Sequence, residues 1–106
     1  MIFRRGRFHE LVDRQLDLFA GETTALLDEA RDADAAWSSA AADESEELYG
    51  DYQLVVDAIG EQLYDLREAY AATLDPGTAD EYRAAFDRAA SRRFGRLAAF
   101  LEEAGQ

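Results

Sequence analysis

The chain has 106 residues, 48% of them hydrophobic, which suffices for one hydrophobic core and leaves too little for two domains with separate cores. Its net charge of −12, from 23 acids against 11 bases, argues against nucleic acid and anionic membranes as partners, because such a surface repels phosphate. Cysteine is absent, so disulfides, thiolate metal ligands and thiol nucleophiles are excluded together.

The N-terminal stretch MIFRRGRFHELVDRQLDLF has paired arginines, as a secretory signal does. His9, Glu10, Asp13, Arg14 and Asp17 interrupt the apolar run such a signal needs. No segment approaches the ~18 apolar residues of a membrane span, so a cytoplasmic protein is expected. From Phe8 the stripe Phe8, Val12, Leu16, Phe19, Thr23, Leu26, Ala30, Ala33, Trp37, Ala40 is spaced three and four apart and predicts one long helix over about 4–40. Leu11 and Leu18 lie on one flank of it and Ala20 and Leu27 on the other, widening the apolar face until it can touch two neighbours.

SSAAADES follows, without glycine or proline, and offers Asp43 as a cap with Glu46 at the third helical position. Leu48, Tyr52, Val55, Ile59, Leu63, Leu66 and Tyr70 then predict a second helix over about 45–74. The apolar phase runs almost unbroken from Phe19 to Val55, so the competing reading is one helix of about 65 residues, ~100 Å long. Such a rod would bury its stripe only against another chain, and a turn near residues 41–45 is preferred.

LDPGT supplies the only proline, and TADE reads as a capping box in which Thr78 caps and Glu81 reaches back. A third helix is predicted over about 79–103, with Tyr82, Phe86, Ala89, Leu97, Phe100 and Leu101 inward. The expected fold is therefore all-α, one domain over 1–106. Its architecture is an antiparallel up-down-up three-helix bundle of long helices, thin enough to be completed by oligomerisation.

The carboxylates are candidates for chemistry. With Ile59 at 0° on the helical wheel, Asp57, Glu61 and Glu68 fall near 160–180°, the expected solvent face. Glu44, Glu47, Asp51 and Asp65 fall on a flank where salt bridges to an adjacent helix are expected. A ferritin-like di-iron site needs Glu-x-x-His pairs, and the single histidine, His9, has no glutamate three residues before it. Glu44 and Glu47 form an ExxE that resembles the magnesium-binding pair of all-α NTP pyrophosphatases of the MazG type. The second pair, Glu61 and Asp65, is spaced ExxxD and lies ~21 Å along the same helix, too far to share an ion. Arg4 and His9 match the R-x4-H spacing that resembles HEPN ribonucleases, which are also small helical proteins. These resemblances imply the alternative function, a metal-dependent nucleotide hydrolase or an RNA-cleaving enzyme. The arginine clusters Arg4–Arg7 and Arg92–Arg96 are expected to be neutralised by facing acids.

The favoured expectation is a non-enzymatic helical interaction module without cofactor or metal, self-associating or binding another protein. Leu54, Tyr64, Phe94 and Leu101 are the partner-surface candidates, because they edge away from their helices' apolar centres. Glu22, Thr23, Gln62 and Arg93 fall where the core should be. Matching levels across the turns places them in one mid-bundle layer, which predicts a Glu22–Arg93 ion pair braced by Gln62.

Overall fold

A computed structural model describes residues 6–99 and Leu101. Among them the chain is all-helical and has no strand, with four α-helices: α1 (His9–Glu22), α2 (Thr24–Ser38), α3 (Ser45–Ala71) and α4 (Pro76–Phe94). A 3₁₀ turn, Gly95–Ala98, follows α4. Among the described residues no helix is long and apolar enough to cross a membrane.

The first predicted helix is two helices, broken at Thr23 (φ −114°, ψ 26°). Thr23 Oγ1 donates to the Phe19 carbonyl at 2.6 Å, and Thr24 Oγ1 reaches the Ala20 and Gly21 carbonyls at 3.2 Å. Hydroxyls that bond back onto the preceding turn bend a helix. The backbone ladder is nevertheless carried across, Thr23 N–H donating to Phe19 and Leu27 N–H to Thr23.

Between α2 and α3 the chain turns, and the continuous rod does not form. Trp37 stacks on Tyr52 at 5.6 Å and lies 4.9 Å from Tyr49, so α2 doubles back along α3. Asp43 does not cap α3. Glu44 occupies that position, without a side-chain hydrogen bond.

Helix α4 starts at Pro76, earlier than the capping-box reading placed it. The cap is Asp75, whose carboxylate accepts from Thr78 N–H at 3.1 Å and Thr78 Oγ1 at 2.7 Å. Proline disfavours the helical region for the residue before it and suits the first helical position, so Asp75 is extended (ψ 157°) and Thr78 becomes a donor. The helix ends at Gly95, whose φ of 58° with ψ −125° only glycine adopts readily.

Tyr82 organises the core. It is fully buried, meets Phe8 edge-on at 5.4 Å, packs against Tyr70 at 4.8 Å and Phe86 at 6.0 Å, and donates its hydroxyl to Gln15 Oε1 at 2.8 Å. Phe19 and Phe94 meet edge-on at 5.7 Å further along the same two helices. α1 and α4 thus advance together, whereas Tyr70–Tyr82 and Arg67–Asp87 pair α3 with α4 in opposite order. α1 and α3 touch little. The described chain is elongated, 52 × 29 × 25 Å with a radius of gyration of 15.8 Å, against about 13 Å for a compact domain of this length.

Candidate functional site

The orientation of α3 creates the site. Its buried residues are Tyr52, Val56, Ile59, Gly60, Leu63, Arg67 and Ala71, whose mean direction stands about 60° around from Ile59 toward Arg67. The predicted stripe was centred on Ile59 itself. The helix turns because its Arg67 side docks on α4. Arg67 is 3% exposed and donates to both oxygens of Asp87, at 2.8 and 3.0 Å, and to Glu68 at 3.0 Å. Arg83 grips Glu68 through two further hydrogen bonds of 2.9 and 3.0 Å. Glu68 is therefore not on the solvent face, as the wheel had it. The hydrogen bond from Arg83 first, and then Arg67, hold its carboxyl below the usual glutamate range against the opposing effect of burial.

That rotation uncovers the other side of α3. A groove of about 350 Å³ opens between Gln15, Leu18, Phe19 and Glu22 of α1, with Thr23 at its end, and Gln62, Asp65 and Leu66 of α3. Gln15 is anchored by the Tyr82 hydroxyl, whose pKa burial pushes up to about 12. Leu18, on the groove's edge, is 60% exposed. Leu54, three turns before Asp65 on the same side of α3, is 71% exposed.

Three of the four polar-layer residues, Glu22, Thr23 and Gln62, line this groove together. They form no buried layer, since Glu22 and Gln62 are exposed. Arg93 is not with them and makes no pair with Glu22. It is exposed and pairs with Asp17, because α4 packs on the flank of α1 that carries Asp17, roughly opposite Glu22 on the wheel.

Of the partner-surface candidates, Leu54 is on the surface. Tyr64 is half-buried beneath the Arg67 guanidinium, 5.1 Å from its ring centre. Phe94 is half-buried against Phe19. Leu101 is 1% exposed and belongs to the core, because the break at Gly95 re-aims the chain beyond α4. Leu18 was visible in the sequence as a flank residue and was not singled out.

The flank acids also differ from expectation. Glu44, Glu47, Asp51 and Asp65 have no basic group among the described residues within ion-pair distance, and neither does Glu22. Six of the described arginines pair elsewhere, while Arg14, Arg88 and Arg92 have no acid within ion-pair distance among the described residues. Arg7 lies 3.7 Å from Glu81, Arg31 pairs with Asp28 at 3.0 Å, and Arg96 pairs with Asp34 at 3.1 Å and lies over the Tyr52 ring. A cleft of about 410 Å³ lined by Arg31, Arg93 and Arg96 is accordingly neutralised by Asp28, Asp17 and Asp34.

His9 Nε2 lies 3.2 Å from Asp13 within its own helix, and its R-x4-H partner Arg4 lies outside the described residues. Among the described residues no three histidine or carboxylate side chains gather as a metal site would require. Glu61 and Asp65 lie within α3 and Glu44 caps it, so both acidic pairs belong to one helix. Compared with known proteins, the chain matches no family model, no curated protein and no solved structure.

Proposed function

We propose that the protein is a small non-enzymatic helical module, one domain acting in the cytoplasm by protein–protein contact through the face between α1 and α3. In this reading the kinked α1–α2 pair is the first leg of an up-down-up bundle, with α3 and α4 as the second and third. The observation that carries it is the open groove with Leu18 exposed on its edge, and with Leu54 exposed three turns away on the same side of α3: exposed large apolar side chains beside a groove mark interaction surfaces. Affinity enrichment with the wild-type chain, compared with Leu18→Glu and Leu54→Glu, is expected to give a partner that both variants lose while circular dichroism is unchanged. Magnesium-dependent turnover of nucleoside triphosphates or RNA that Asp65→Asn or His9→Ala abolishes would instead support the enzyme and sink this reading.

Self-association is a second reading, favoured by the elongated shape, which a second copy would make more compact. Sedimentation at ~100 μM, where even a micromolar contact is populated, decides it. A dimer weakened by Leu54→Glu supports self-association. A monomer leaves the groove to a different protein.

A further inference from the structure

We infer that the groove between α1 and α3 receives a basic amphipathic helix from a different protein; this rests on the interaction-module reading and adds the partner's chemistry. Leu11, Gln15, Leu18 and Glu22 follow one another at intervals of four, three and four along the first leg, the spacing of a helix–helix seam. Among the described residues nothing covers that seam at Leu18, which is 60% exposed, and α1 and α3 touch little. Phe19 and Leu66 furnish apolar surface within the groove. The site is therefore an open furrow along two helices, deep enough for the side chains of a third laid over it, which is how helical ligands are bound in grooves.

Charge selects the occupant. One bank carries Glu22 and the other Asp65, and Glu44, Glu47 and Asp51 extend the acidic side along α3. None has a basic partner among the described residues, whereas every glutamate and aspartate that pairs across helices does so on the faces turned toward α4 or the 3₁₀ turn. An incoming helix with leucines on one stripe and lysine or arginine on both sides of it meets carboxylates on both banks. A second copy seated face to face would set these acids against their own counterparts, which is repulsive.

The test titrates the full chain with fluorescein-labelled peptides of about 18 residues, long enough to form a helix on binding. All have leucine at a and d, and they carry lysine, serine or glutamate at e and g. The lysine peptide is expected to bind at micromolar Kd in low salt and to weaken about tenfold as the Debye length falls from about 10 Å toward 3 Å. Leu18→Glu should weaken it about tenfold with unchanged circular dichroism, and Glu22→Lys with Asp65→Lys should transfer the preference to the glutamate peptide. Lysine-peptide binding indifferent to both changes means adhesion to the acidic surface at large and overturns the proposal. Equal binding of the serine peptide by the wild-type chain overturns the basic-partner assignment while the interaction module stands, as does a dimer that Leu18→Glu dissolves. If no peptide binds and the chain sediments as a monomer, both readings fall.

Discussion

Arg67 is the residue through which the molecule's charge enters its core. Its guanidinium is nearly enclosed, and its carboxylate partners Asp87 and Glu68 keep about a third of their side-chain surface in water. Removing Asp87 leaves a buried cation with one partner fewer, so Asp87→Ala is expected to cost about 3 kcal/mol in urea denaturation. Arg67→Met should cost less, since methionine refills the space of the stem and leaves behind only carboxylates that water still reaches. Equal losses would contradict this asymmetry. Glu68 adds a pH dependence. Its carboxyl is held below the usual value in the folded chain, so its contribution is complete above the unfolded value and is lost as pH falls through the lowered one. Glu68→Gln should flatten that acid limb. Tyr82 acts at the other end. With its phenol raised to about 12, its contribution is complete below the ordinary value near 10 and is lost as pH climbs from there to about 12. An absorbance titration should find one of the five tyrosines ionising late, and Tyr82→Phe should remove that phase. The burial of Arg67 was not legible from the wheel, because a stripe centred on aliphatic residues puts an arginine about 80° off on the margin, where it is ordinarily solvated.

The helices themselves were largely legible, and their interruptions were not. Periodicity marked α3 and α4 because their apolar residues recur over many turns. The break at Thr23 has no glycine or proline at the bend itself, and threonine's hydrogen bond back to Phe19 is not a stop signal that spacing reveals. At Pro76 two start signals compete three residues apart, and the aspartate–proline pair wins over the capping box. Gly95 ends α4 with a backbone that side chains resist, so Gly95→Ala should cost about 1–3 kcal/mol although nothing lies within 4 Å of an added methyl. Gly50, inside α3, is the opposite case: it too has open space, and Gly50→Ala should stabilise by about 0.5–1 kcal/mol. Thermal denaturation of the two variants should move in opposite directions.

For the whole molecule, the composition fixed the sign of the charge but not its placement. Among the described residues the ion pairs that cross between helices gather on α4, the 3₁₀ turn and their neighbours, while one side of α3 keeps acids with no cation within ion-pair distance. Added salt should therefore raise the melting temperature by screening that side, and magnesium at matched ionic strength should do no more than sodium. A saturable, stoichiometric shift with magnesium would reveal a site that the described carboxylates do not form. The fold class could be read from the sequence because helical periodicity and the absence of strand signals decide it. The groove could not, because which flank of α3 stays uncovered depends on how far the helix turns to bring Arg67 to Asp87, and that is a property of two helices at once.

The single tryptophan lies at the far tip of the α2–α3 pair, stacked on residues close to it in sequence. The loop it closes is short, whereas the contact of Phe8 with Tyr82 joins residues 74 apart in the chain. In refolding, local contacts of the first kind form ahead of distant ones. Trp37 emission is thus a clock for the hairpin, running ahead of the tyrosine core, and an intrinsic-fluorescence trace alone would report the protein as folded before the start of α1 had met α4.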